Sequence, residues 1–256
     1  MTAMPPPVRI AMWSGPRNVS TALLRAWESR ADTAVSDEPL YAAYLATTGK
    51  PHPMREAVLA SQPTDWREAA AALTGPVPNG APIWYQKHMA HHLTPGVGRE
   101  WLQGFRHAFL IRQPAAMLAS LAKVLPDATL EDTGLPQQVE LFDRTADRLG
   151  HAPPVLVGHD VRADPEGALR ALCEALDVPW DPAMLQWAPG PRETDGVWGP
   201  VWYSRLYQTT GFAPPEPDRS PNVPAALAPV LDAALPLYEH LHAFRLIADE
   251  RPQTAD

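Results

Sequence analysis

The chain has 256 residues, an apolar fraction of 45% and a net charge of −8. That is enough for a sizeable core and the wrong sign for a general nucleic-acid or anionic-membrane binder. Cys173 is the lone cysteine, which excludes an internal disulfide and a cysteine metal cluster and fits a reducing cytoplasm. No basic segment followed by an apolar run opens the chain, and no stretch is long enough to span a membrane. The expectation is a cytoplasmic protein with one domain over residues 1–256 and no membrane partner.

Met1–Pro7 reads as a loose tail. Ile10–Trp13 is a short apolar strand, Ser14-Gly15-Pro16 a tight turn, and Ser20-Thr21 opens a helix carrying Ala22, Leu23 and Leu24. A helix N-terminus has unpaired N–H groups and a positive dipole end. With Arg17 in the turn and two hydroxyls beside it, the segment is a socket for phosphate or sulfate. An ordinary capped helix following a strand carries the same residues. The nucleotide loop G-x-x-x-x-G-K-[ST] and the dinucleotide fingerprint G-x-G-x-x-G are both missing.

Thr33–Ser36 reads as a strand ended by Asp37-Glu38-Pro39, where Pro39 predicts an extended Glu38 and Asp37 reads as a solvated neighbour or turn cap. Helices are expected at Tyr41–Thr47, Arg55–Ala60 and Asp65–Leu73, the last capped by Thr64 or Asp65. Loops are expected over 48–53 and 75–82. Ile83–Gln86 is a strand, followed by Lys87-His88-Met89-Ala90-His91-His92. The histidines lack the carboxylates or thiolates of a metal site, so no metal is expected.

Ala108–Ile111 is a buried strand, ended by Arg112. Pro114 suits the first turn of a helix running to Leu125, and Ser120 lies part-way up it, eight residues after Arg112. A helix at Leu135–Leu149, a strand at Val155–Gly158 and a helix from Asp164-Pro165 through Leu176 follow. From Pro179 to Pro221 periodicity fails and Pro, Trp and Gly dominate, which reads as part of the site or a lid. A closing helix at 224–241 contains Pro236, expected to kink it. Strands alternating with helices predict a three-layer α/β sandwich around a mainly parallel sheet. Ligands in such folds bind at the carboxyl ends of strands, where Arg17, Glu38, Lys87, His88 and Arg112 all fall.

Pro16-Arg17-Asn18-Val19-Ser20-Thr21 resembles the P-[KR]-S-G-[ST]-T loop of sulfotransferases. Arg112-Gln113-Pro114 with Ser120 resembles their second motif, an Arg-x-Pro strand end with a Ser eight residues on. Ser14-Gly15-Pro16-Arg17-Asn18 and Asp37-Glu38-Pro39-Leu40-Tyr41-Ala42 resemble a bacterial subgroup more closely. The resemblance implies a P-loop-type nucleotide-binding fold and sulfuryl transfer from 3′-phosphoadenosine 5′-phosphosulfate (PAPS) to a hydroxyl or amine of a small molecule, leaving the bisphosphate PAP. It implies that Arg17, Ser20 and Thr21 hold the phosphosulfate, with Asn18 beside them among the cofactor-binding residues, and that Arg112 and Ser120 hold the 3′-phosphate. The family's C-terminal R-K-G-x-x-G grip is absent, and Arg205 is the candidate to replace it. Arg17 would neutralise the leaving phosphate oxygen. Glu38 is the first candidate base and His88 the second, with Lys87 assisting. Val19 stands where the family has a loop glycine, so the loop must turn differently. Trp202 and Tyr207 read as core. A phosphate-transferring kinase and a non-catalytic nucleotide-binding relative are the alternatives. The acceptor and the oligomeric state carry no signature.

Overall fold

A computed structural model describes residues 6–215 and 221–247. Met1–Pro5 of the expected tail, and residues 216–220 of the Pro/Trp-rich stretch, lie outside the described residues. The elements follow in chain order as β1 (Val8–Ser14), α1 (Ser20–Glu28), β2 (Thr33–Asp37), α2 (Tyr41–Thr48), α3 (Arg55–Ser61), α4 (Trp66–Thr74) and β3 (Ile83–Met89). Then come β4 (Arg106–Ile111), α5 (Pro114–Leu121), α6 (Leu135–Leu149), β5 (Val155–Val157), α7 (Gly158–Ala163), α8 (Pro165–Ala175), α9 (Gly199–Trp202) and α10 (Ala228–His242).

The five strands pair in parallel in the order β2-β3-β1-β4-β5. Alternation along each strand divides the core in two. Ile10, Met12, Ile83 and Tyr85 face α1 and α8, where Leu23, Leu24, Trp27, Leu169 and Leu172 complete one cluster. Ala11, Trp13, Trp84 and Phe109 face the other way, onto Leu118 of α5, Phe142 of α6 and Leu241 of α10. Helices therefore cover both faces, as a parallel sheet with apolar residues on both sides requires.

Local chemistry sets most boundaries. Asp65 accepts from Arg67 N–H and caps α4, Asp164 accepts from Gly167 N–H and caps α8, and Gly150 in a left-handed conformation ends α6. Four expectations need correction. β3 runs on to Met89, so Lys87 and His88 lie within the strand and not past it. α5 stops at Leu121. Gly158 opens α7, a short helix with no apolar period to announce it. α10 begins at Ala228, four residues later than expected, and contains Pro236.

Candidate active site

The β1–α1 connection is braced by residues far away in the chain. A Cβ on Gly15 would sit 2.5 Å from the Thr133 carbonyl oxygen, so only glycine passes there. Gln138 on α6 accepts from Gly15 N–H and donates to the Leu110 carbonyl, each at 3.2 Å, with its amide orientation assigned from those partners. Asn18 Nδ2 also donates to Leu110 (3.3 Å), while its Oδ1 accepts from Val19 N–H (2.9 Å). Asn18 thus ties the loop to the end of β4. The left-handed residue of the loop is Arg17 (φ 57°), and Val19 takes φ −86° with its side chain buried. Val19 therefore needs no positive φ, because the left-handed turn is made two residues earlier, at Arg17. Val19 supplies no side-chain cap to α1, so the first-turn N–H groups beside Ser20 and Thr21 stay open to a ligand.

Around that helix end the predicted cations converge. Arg17 Nε donates to Ser120 Oγ (3.0 Å), and the Arg112 guanidinium donates to the Arg17 carbonyl. Burial, then the nearby charge of Arg205, holds the Arg17 guanidinium below its ordinary pKa. Among the described residues no carboxylate pairs with Arg17 or Arg205. Two like charges beside a helix N-terminus, with no carboxylate on either among the described residues, suit a polyanion.

A second, buried cluster sits at the ends of β2 and β3. Lys87, 1% exposed, donates from Nζ to Asp37 Oδ1 (2.8 Å), Glu38 Oε1 (2.7 Å) and the Tyr203 hydroxyl (2.8 Å). Tyr203 donates to Asp37 Oδ2 (2.8 Å), lies 3.3 Å from Glu38 Oε1 and accepts from Trp198 Nε1 (2.8 Å). Burial disfavours a charge on Lys87, but the Asp37 and Glu38 carboxylates outweigh it and hold the ammonium above its usual pKa. Burial raises the Glu38 carboxyl; Lys87 pulls it down and Asp37 pushes it up, with a net rise. Glu38 Oε2 has no hydrogen-bond partner among the described residues, and the side chain is 12% exposed.

Glu38 is not extended as Pro39 predicts; its φ is 42°. Its N–H still belongs to the sheet, donating to the Lys87 carbonyl (2.9 Å), while its own carbonyl accepts from Tyr41 N–H (3.0 Å) at the start of α2. Glu38 opens the three-residue turn from strand to helix, and its left-handed conformation starts the change of direction. Arg17 and Glu38 thus both hold backbone conformations that non-glycine residues visit rarely, a form of strain that accumulates at working sites.

The remaining candidates separate. His88 alternates with Lys87 and points through the other face of β3. It is 1% exposed, stacks on Trp13 at 4.5 Å and meets Gln86 Oε1 at 3.2 Å. Burial, with His107 adding to it, pushes His88 down to about 3. It is a core histidine in this fold, outside the Lys87 cluster. Asp37 is not solvated but buried in an ion pair. Trp202 and Tyr207 pack half-buried against Tyr41, Tyr44 and Trp198, in the manner expected of them. Tyr203, Trp198 and Gln138 escaped the sequence reading. None has a motif around it, and Tyr203 lies inside the segment where periodicity fails.

Residues 8–245 match the model of the sulfotransferase domain family. The chain belongs to that family. The chain is 35% identical over 242 residues to branched-chain-amino-acid aminotransferase-like protein 1 of Arabidopsis thaliana, covering 94% of the chain and 42% of the relative. It is 33% identical over 233 residues to the like-named protein 2, covering 91% and 41%. The chain therefore spans about two fifths of the length of these relatives, and the aminotransferase in their names describes those longer proteins. Among solved structures, the sulfotransferase domain of the Synechococcus PCC 7002 olefin synthase matches 96% of this chain and 98% of its own, at 20% identity and TM-score 0.55. A sulfotransferase from Alicyclobacillus acidocaldarius matches the same shares at 13% identity and TM-score 0.54. These similarities establish the α/β sulfotransferase fold with its P-loop-like topology.

Proposed function

We propose that the protein transfers a sulfuryl group from PAPS to a hydroxyl or amine of a small-molecule acceptor. The observation that carries this reading is the convergence of Arg17, Arg112, Ser120 and Arg205 on the N-terminus of α1. The donor carries a phosphosulfate at one end and a 3′-phosphate at the other. Residues from the two segments suit those two ends, and both lie at the carboxyl edge of adjacent strands β1 and β4. Ser20, Thr21 and the open N–H groups suit the phosphosulfate; Arg112 and Ser120 suit the 3′-phosphate. Asn18 contributes by shaping the loop.

Glu38 Oε2 accepts the acceptor's proton. The acceptor oxygen or nitrogen forms a bond to sulfur as the bond from sulfur to the bridging phosphate oxygen breaks. The electron pair leaves on that oxygen, where Arg17 opposes the growing charge. Lys87 and Asp37 fix Glu38 in place, and the raised Glu38 pKa makes it a stronger base than an exposed carboxylate. No metal takes part in this scheme. The site gives no reason to prefer a kinase: the loop lacks the lysine of a triphosphate-binding loop.

Calorimetry and thermal unfolding with PAP, Mg-ATP and buffer test the reading. Bound ligand stabilises by RT ln(1 + [L]/Kd). Stabilisation by PAP and not by Mg-ATP is expected. Stabilisation by Mg-ATP alone would sink the proposal, and none by either would favour a relative that no longer uses the donor.

A further inference from the structure

Residues 190–207 form a closed loop. Gly190 N–H donates to the Tyr207 carbonyl (2.8 Å) and Trp187 N–H to the Thr210 carbonyl (3.0 Å), so its ends are tied together. Near its start, Asp195 sets both carboxylate oxygens against Arg25 Nη2 at 2.6 and 2.7 Å; the two side chains are 5% and 1% exposed. Next to it, Gly196 N–H donates to Asp37 Oδ2 (3.3 Å), and a Cβ there would lie 2.1 Å from the Trp198 ring. Trp198 then donates to Tyr203, and two residues later Arg205 stands beside Arg17.

We infer that this loop is a strap that completes both halves of the active site at once. Tyr203 is a positioning residue for the Glu38 base, Arg205 extends the donor socket, and the Arg25–Asp195 pair holds both. The inference rests on the roles proposed above for Glu38 and Arg17. The reason for the coupling is where Arg25 sits. It lies on α1, the helix whose N-terminus opens the donor socket, so one helix carries both the socket and the anchor of the strap.

The Tyr203 hydroxyl has a single proton and two lone pairs. It accepts from Lys87 and Trp198, and its one proton is shared between Asp37 Oδ2 (2.8 Å) and Glu38 Oε1 (3.3 Å). Both Glu38 hydrogen bonds therefore fall on Oε1, which leaves Oε2 for the substrate. The charged and titratable groups facing Glu38 are Asp37, Lys87, Tyr203 and, from α2, Tyr41, with His92 near Lys87 behind them. The Tyr203 contact favours the ionised carboxylate. Its loss moves the Glu38 titration to higher pH.

The test follows the Glu38 carboxyl by carbon-13 NMR, assigned with Glu38→Gln, and measures PAP affinity by calorimetry. Tyr203→Phe should move the Glu38 titration and the acid limb of kcat/KM to higher pH together, with PAP affinity little changed. A residue that merely filled space would lower activity at every pH and leave the limb where it was. Arg205→Gln should weaken PAP by about tenfold with the Glu38 titration in place. Asp195→Asn should disturb both readouts; if that variant does not fold, Arg25→Lys serves instead. An unmoved Glu38 titration in Tyr203→Phe, or a folded anchor variant that changes neither readout, overturns the strap. Wild-type protein that fails to bind PAP overturns the donor reading instead, and the NMR titration of Tyr203→Phe still decides the acceptor half of the strap.

Discussion

At the end of β1, Arg17 and Arg205 stand exposed at the protein surface with no carboxylate against them among the described residues, and the helix behind them offers uncapped N–H groups. At the ends of β2 and β3, a few residues away across the sheet, Lys87, Asp37 and Tyr203 are packed out of water and satisfy one another. The first region leaves charge unbalanced for a ligand to balance. The second balances its charges internally, apart from one open oxygen on Glu38. Sulfuryl transfer calls for both conditions. A multiply charged donor must be gripped from solution, whereas a base must keep a proton affinity that water would otherwise level.

The contrast can be broken from either side. The largest effect is expected at Glu38. Glu38→Gln removes the proposed base and should lower kcat by about 10²–10⁴ while PAP affinity stays at the wild-type level; a variant that keeps its kcat puts the base elsewhere. In the wild type, kcat/KM should climb with pH through a limb above the ordinary glutamate range, since burial raises the Glu38 pKa and only the ionised form accepts a proton. Lys87→Met comes next. It leaves Asp37 and Glu38 buried without their cation and should cost about 3–5 kcal/mol in urea unfolding, the usual penalty for breaking a buried pair from one side. A loss under about 1 kcal/mol, the size of an exposed ion pair, would mean that the cluster is wet.

On the donor side, Arg17→Ala should reduce PAP affinity by about 10–100-fold, the worth of one charge-assisted contact, and leave the unfolding midpoint of the free protein nearly unchanged. The affinity should also fall with salt, because this region is open to screening; a salt-insensitive Kd would argue against the exposed guanidiniums. The smallest effect belongs to His88, which shares β3 with Lys87 and not its site. His88→Gln should retain kcat. His88 titrates near its ordinary value when unfolded and down at about 3 when folded. The unfolded chain therefore takes up a proton that the folded one refuses, and stability is lost as pH falls from about 6.5 toward about 3, by at most about 1.4 kcal/mol per pH unit for one group. Urea midpoints at pH 7 and pH 5 should differ less in His88→Gln than in the wild type.

Adjacent letters in a sequence can belong to different chemistry, and Lys87 and His88 show how. Both look like polar residues at a strand end. Because β3 continues to Met89, its alternation sends Lys87 toward Asp37 and Glu38 and sends His88 onto Trp13. The apolar run Ile83–Tyr85 announced a strand, but nothing in the composition of 86–89 fixed its length. Val19 shows the converse. Its β-branch made positive φ unfavourable at that position, and the structure agrees by bending at Arg17. The sequence could say where the loop would not bend, and only the assembled loop showed where it did.

The amino-acid sequence by itself determined the alternation of strands and helices, the parallel sheet and the loop and helix end proposed to hold the anion. These follow from short-range periods, caps and the Pro and Gly positions around them. It also placed Arg17 and Arg112, the arginines proposed for the donor, after strands in recognisable spacings. The tertiary structure alone decided what packs around Glu38 and Lys87 and what braces the β1–α1 loop. Tyr203 lies 116 positions from Lys87 and Gln138 lies 123 positions from Gly15, and no local pattern marks either one. A buried lysine needs partners on every side, and those are drawn from whichever segments the fold brings within hydrogen-bonding distance.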